Sequence, residues 1–223
     1  MNLRLSIPNS QRVLDFGCGS GWVIAGSKIQ GNPVVVGIDL CVDKLKEAKT
    51  HGCMGVVAAD GLSLPFASES FGVVIGHVSM PYMNTRRALQ EVYRVLSPGG
   101  SMFLTFHSFR YVRKRGLRSL RERRWKDVAF MAYIALNGIL NHLSFPQIEL
   151  WRNGRMFETV NTRRGVLKTA ESRGFTSISV EDYGRTIFAV AASKPDPVNG
   201  AASPQCKWSI YDRASGIENA TSR

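Results

Sequence analysis

Paired cysteines are missing from this chain of 223 residues. Cys18, Cys41, Cys53 and Cys206 form no C-x-x-C pair and stand in no His/Cys cluster at metal-ligand spacing, which argues against a disulfide framework or a zinc site. Acids are scarce, 17 against 29 Lys and Arg, and the formal charge of +12 biases the partners toward anions. Nucleic acid, an acidic membrane surface and an acidic small molecule all satisfy that bias, and charge alone does not choose among them. No apolar run reaches the ~18–20 residues of a spanning helix: "VAFMAYIALNGIL", from Val128 to Leu140, is too short, contains Asn137 and reads as a core or interfacial helix. The first residues lack the order of charged, apolar and small residues that marks a secretory signal, so the protein is expected in the cytoplasm, with a peripheral membrane position open to it.

What is present is a regular alternation. Apolar runs of strand length alternate with stretches of helical period, the pattern of βα units on a mostly parallel sheet. Strands are expected at Arg12 to Phe16, Val34 to Asp39, Met54 to Ala59, Phe71 to Gly76 and Ser101 to His107. Asn84 is placed to cap a helix over "RRALQEVYRVL", which "SPGG" stops at Ser97 to Gly100. The rhythm then breaks. Residues 108 to about 160 form an insertion that opens with nine Arg/Lys and two acids between Ser108 and Asp127. A helix from Thr162 to Ser172 and an antiparallel pair, "FTSISVED" and "RTIFAVAAS", complete a seven-stranded α/β domain over residues 1–194. Residues 195–223 are rich in Pro, Gly, Ser and Ala and are expected to be a poorly ordered tail.

Glycines occupy every second position in "DFGCGSGW", directly behind the first strand, where a ligand can approach the backbone. The dinucleotide pattern G-x-G-x-x-G requires a third glycine where Trp22 stands, and the Lys-Ser/Thr end of a P-loop is absent. The ligand is therefore read as a nucleoside without a diphosphate. Asp39 ends the second strand, where an acid can accept hydrogen bonds from both ribose hydroxyls, and Asp60 ends the third, where it can receive an adenine amino proton. Asp at a strand end is ordinarily a turn or cap residue, but two acids in this joint placement favour a ligand.

"VLDFGCGSG", "GID", "AADGLSLPF" and "RVLSPGG", in this order and spacing, resemble the class I S-adenosylmethionine-dependent methyltransferases. The later pieces resemble the subgroup that includes the ubiquinone and menaquinone biosynthesis methyltransferases. The likeness covers Arg12 to His107. It implies S-adenosyl-L-methionine as cofactor, with Gly17, Gly19 and Gly21 shaping the methionine pocket, Asp15 supporting its amino group, Asp39 and Leu40 at the ribose, Asp60 and Gly61 at the adenine, and His77 at the same edge. The implied fold is Rossmann-like, with an antiparallel last strand. Two features depart from the family: Gly72 stands where Asp is common, and only eleven residues precede Arg12, so the helical insertion is expected to cover the site.

His77 and His107 end the fourth and fifth strands at the edge where a methyl acceptor would lie, and either could take its proton. Methyl transfer mainly requires alignment and is compatible with no base at all. "SMPY", at Ser79 to Tyr82, falls short of the [DNS]-P-P-[YFW] motif of amino-methylating enzymes at Met80 and reads as a loop. The acceptor is expected to be small and apolar or lipid-like, with Phe130, Tyr133 and Trp151 of the insertion around it. Transfer to RNA or another nucleic acid through the basic insertion is the alternative enzyme, and a cofactor-binding interaction module without catalysis is the alternative that is no enzyme.

Overall fold

In the computed structural model, residues 2–7, 11–30, 32–149, 157–198, 207–211 and 218–219 are described. Eleven strands and six helices run in the order β1 (Asn2–Ser6), β2 (Arg12–Phe16), α1 (Trp22–Gly26), β3 (Lys28–Gln30), β4 (Val34–Asp39), α2 (Val42–Thr50), β5 (Gly55–Ala58), β6 (Phe71–Gly76), α3 (Thr85–Val95), β7 (Leu96–His107), α4 (Phe109–Arg121), α5 (Trp125–His142), α6 (Arg163–Ser172), β8 (Thr176–Asp182), β9 (Ile187–Ser193), β10 (Lys207–Tyr211) and β11 (Glu218–Asn219). A 3-10 turn at Met80–Tyr82 lies between β6 and α3.

The main sheet has the order β5-β4-β2-β6-β7-β9-β8, and β9 alone runs antiparallel to its neighbours. After β2 the chain steps outward to β4 and β5, then returns to the other side of β2 for β6. That reversal opens a crevice at the carboxyl ends of β2, β4 and β6, the place where such sheets bind ligands. Alternation along β2 builds both faces: Leu14 and Phe16 enter one apolar cluster, with α3 and α6, while Val13 enters the other, with Ile24, Leu45 and Ala48. On α3, Ala88, Leu89, Val92 and Val95 are all fully buried at helical spacing, each large side chain contributing about 1.5–3 kcal/mol. Asn84 caps this helix as expected, its Oδ1 accepting from the Arg87 N–H at 3.3 Å.

Two expectations change, and a third feature, Gly72, gains a physical setting. "SPGG" opens β7 instead of separating it from the helix: Leu96 already pairs with Phe71, and an irregularity in the register follows. Part of the expected tail is in strands, since β10 pairs antiparallel with β1 and β11 with β10, in a small sheet that β3 completes on the other side of β1. At Gly72, a Cβ would lie 2.5 Å from Oε1 of Gln11, so the position where relatives often carry Asp is filled by a neighbouring amide.

Candidate functional site

A cavity of about 800 Å³ opens at the crevice, within the ~300–1,000 Å³ typical of small-ligand sites. Its floor is the loop after β2. Gly17, Gly19 and Gly21 have φ of 73°, 52° and 79°, which L side chains rarely adopt. Gly17 is doubly constrained, because Ser79 packs directly against it and a Cβ there would overlap the Ser79 Cβ. Asp39, at the end of β4, holds this loop: its Oδ2 accepts from the Gly19 N–H at 2.9 Å and its Oδ1 from the Cys41 N–H at 2.8 Å. Each oxygen keeps a lone pair for a ligand hydroxyl.

Asp60 ends the strand region of β5, and its Oδ1 accepts from the Leu62 N–H at 2.9 Å. Beside it, a Cβ on Gly61 would come within 2.7 Å of the Phe16 ring and 2.8 Å of the Met83 sulfur, so only glycine fits. The loop that follows is clamped to α3. Arg94 donates to the carbonyls of Phe66 (2.7 Å) and Leu64 (3.0 Å), and Glu91 accepts from the Leu64 N–H (2.7 Å). The Arg94 guanidinium holds the Glu91 carboxyl below its ordinary range.

Asp15 lies beneath the glycine loop, 1% exposed, and neither carboxylate oxygen has a hydrogen-bond partner. Burial, then the Cys53 thiol, then Asp39 push its carboxyl up to about 8. A buried carboxyl with both oxygens unpartnered is suited to receive a cationic amine.

Gly17, Gly19, Asp39, Leu40, Asp60, Gly61 and His77 all line the cavity. Asp15 and Gly21 do not: Asp15 is buried behind the loop, and Gly21 turns the chain into α1, where a Cβ would stand 3.0 Å from the Ala48 backbone. His77 is half-buried, burial lowers its pKa, and its ring meets Tyr183 edge-on at 5.3 Å. His107, by contrast, is outside the cavity wall. It is 6% exposed, stacks on Tyr111 at 4.1 Å, and has its Nδ1 3.8 Å from Oε1 of Glu158. Burial and Glu158 together raise the pKa of Tyr82, which does line the cavity.

The insertion contributes differently from the expectation. Phe130 and Tyr133 pack with Met131, Ile134 and Val160 inside the α4–α5 hairpin, Trp151 lies outside the described residues, and the wall residues from this region are Glu149 and Phe157. Ser79 and Tyr82 of "SMPY", with Met83, also line the cavity, Ser79 packed against Gly17 and Met83 against Gly61. Val78 also lines the cavity, at φ 58°, an outlier for a β-branched residue, with its N–H donating to Thr105 Oγ1 at 2.7 Å. Nothing in the sequence around Val78 signals that conformation.

Residues 14–104 match the family described as "Methyltransferase domain". A human protein named as a probable tRNA methyltransferase 9B is 33% identical over 96 residues, covering 41% of this chain and 20% of its own length. The 2-phytyl-1,4-naphtoquinone methyltransferase of Synechocystis is 36% identical over 107 residues, covering 43% of this chain and 45% of its own. The chain thus spans less than half the length of these curated relatives. A solved structure of a SAM-dependent methyltransferase from Methanosarcina mazei superposes with a TM-score of 0.55 at 19% identity, covering 84% of this chain and 94% of the other, which shows the fold. The residues fit S-adenosylmethionine: Asp39 and Asp60, on the cavity wall, have lone pairs left for ribose and adenine, and Asp15, buried behind the glycine loop, has two orphaned oxygens that suit an amine. Residues 14–104 of this chain thus match the methyltransferase-domain family, and the site they build is similar to that of its S-adenosylmethionine-dependent members.

Proposed function

We propose that the protein transfers a methyl group from S-adenosylmethionine to a small, apolar or lipid-like acceptor. The observation that carries this reading is a cavity of about 800 Å³ whose lining holds the glycine loop, Asp39 and Asp60 together with Tyr82, Met83, Phe157 and His77. The cofactor would supply a methyl carbon activated on a sulfonium.

The chain's own work is to align and to dry the site. Asp15, Asp39 and Asp60 would hold the two ends of the cofactor at fixed distance, so that the acceptor has only one approach. Tyr82, Met83 and Phe157 exclude water and present an apolar wall to the acceptor. His77, kept neutral by burial, is placed to accept the proton an acceptor hydroxyl or amine releases. His107 and Glu158, behind the wall, act through Tyr82 as positioning residues. The Thr159 N–H donates to the Pro81 carbonyl at 2.8 Å and so ties the Glu158 segment to the 3-10 turn that carries Tyr82.

A second reading, transfer to RNA, is favoured by the nine cations between Ser108 and Asp127 and by the relative named for tRNA. The test is to incubate the protein with methyl-labelled cofactor and cell extract divided into lipid, aqueous small-molecule and RNA fractions. Label is expected in the lipid fraction, and His77→Gln should slow its transfer by ~10²-fold or more if a base is used. Label in RNA alone would replace this reading with the second. Cofactor binding with no label in any fraction would favour an interaction module.

A further inference from the structure

Helix α5 is apolar on both sides: Met131 and Ile134 are buried inside the α4–α5 hairpin, and a second apolar stripe faces out. A surface helix normally turns its apolar stripe inward. On α5 the buried positions Met131 and Ile134 give way in the C-terminal half to Asn137, Gly138 and Asn141, while Trp125, Ala129, Ala132, Leu136, Ile139 and Leu143 face outward at helical spacing. Trp125 is 67% exposed, Leu136 44%, Ile139 46% and Leu143 56%.

The inward polar face has specific partners. Asn137 Nδ2 donates to the Ile148 carbonyl (3.1 Å) while its Oδ1 accepts from the Ile148 N–H (2.7 Å), and Asn141 donates to Asn161 (2.8 Å). These bonds fix the rotation of α5, so its apolar side cannot turn inward without leaving buried amides unpaired. The stripe therefore stays on the surface. It runs along the 18 residues of α5, about 27 Å of helix, to Leu143 at the C-cap, with no acidic or basic side chain between Val128 and Asn141.

The charge beside the stripe is one-sided. Arg110, Arg113, Lys114, Arg118 and Arg121 on α4, with Arg123 and Lys126 at the turn, are all exposed and have no acidic partner among the described residues. Leu117 and Leu120 are exposed among them. Among the described residues no helix is long and apolar enough to cross a membrane.

We propose that the α4–α5 hairpin lies on an anionic lipid surface, with the outer stripe of α5 below the head groups and the cations of α4 and the turn among the phosphates. Charge complementarity selects this occupant: a protein partner for a 27 Å apolar stripe does not require seven unpaired cations beside it, whereas an anionic bilayer uses both at once. The exposed run continues past Leu143 through Phe145 and Ile148 and stops one residue short of Glu149, a wall residue of the cavity. Docking would thus bring the mouth of the cavity to the lipid. That last consequence rests on the lipid-like acceptor proposed above, but the docking itself does not.

The experiment is co-sedimentation of the full chain with phosphatidylcholine vesicles, with and without phosphatidylglycerol, alongside Trp125 emission read against Trp125→Phe. Binding is expected only to the anionic vesicles, with a blue shift lost in Trp125→Phe. Leu136→Glu with Ile139→Glu should weaken it roughly tenfold or more, and reversal of Arg113, Lys114, Arg118 and Arg121 to Glu by on the order of a hundredfold, with added salt reproducing the second effect. Cofactor affinity, measured by calorimetry, should be unchanged in both variants, which separates a failure of docking from a failure of the methyltransferase site. No binding to anionic vesicles at low salt overturns the proposal. So does tighter binding to polyuridylate than to vesicles, which reassigns the cations to nucleic acid, or a concentration-dependent dimer abolished by the Leu136/Ile139 variant, which reassigns the stripe to a second copy.

Discussion

Asp15→Asn removes the one ionisable group whose burial sets the fold and the ligand against each other. The free carboxyl is pushed from about 3.8 up to about 8, with burial the leading cause, so the native state binds a proton there that the unfolded chain has already released. Between those two values the unfolded state holds fewer protons, and stability falls as pH rises. The contribution is fully present below about pH 4 and is lost as pH climbs through about 8, at ~1.36 kcal/mol for each pH step. From pH 5 to pH 8 the wild type should lose on the order of 4 kcal/mol that the Asn variant keeps. The ligand reverses the sign. An amine docked on Asp15 needs the ionised form, so binding of S-adenosylhomocysteine, which carries the same amine, should release a proton. Its affinity should rise about tenfold between pH 6 and pH 7, where the ionised fraction does the same. Urea denaturation at pH 5 and pH 8 measures the first effect. Calorimetry in buffers of different ionisation enthalpy measures the second. Asp15→Asn should come out more stable than wild type at pH 8, with weak, pH-independent binding. Parallel pH–stability curves for the two proteins, or flat wild-type affinity across this range, would refute the reasoning.

Asp39→Ala should weaken cofactor binding roughly ten- to a hundredfold by calorimetry, through hydrogen bonds to a charged acceptor worth about 1.5–3 kcal/mol, and should loosen the glycine loop because the Gly19 N–H loses its acceptor; unchanged affinity would remove Asp39 from the ribose. Gly61→Ala places a methyl against the fully buried Phe16 ring and should cost about 1–3 kcal/mol in a urea melt as well as binding. An unaltered midpoint would show that the wall yields. Glu91→Gln should cost about 1 kcal/mol at pH 7, since the Arg94-held carboxylate stabilises the fold above its ordinary pKa and ceases to as pH falls through the depressed value. The variant's acid limb should be flatter than the wild type's, and an identical limb would mean that the clamp contributes nothing.

Local rules were enough to read β2, β4 and β6 to the residue, and the Asn84 cap, from sequence alone. Buried parallel strands are short apolar runs closed by turn residues, so their ends are written in neighbouring positions. The same locality made the glycine loop, Asp39 and Asp60 legible, since each stands at the end of its own strand. Only the tertiary structure decided what depends on partners distant in the chain. His107 shares its strand-end position with His77, yet it is buried between Tyr111 and Glu158, outside the cavity. Glu149 and Phe157 enter the wall where Phe130 and Tyr133 were expected, because the hairpin packs its aromatics on itself. The apolar run of α5 appeared in the sequence as a core or interfacial helix, and its 3.6-residue period is the same for either role. Which side is buried was settled by hydrogen bonds from Asn137 to Ile148 and from Asn141 to Asn161, pairings that no local pattern contains.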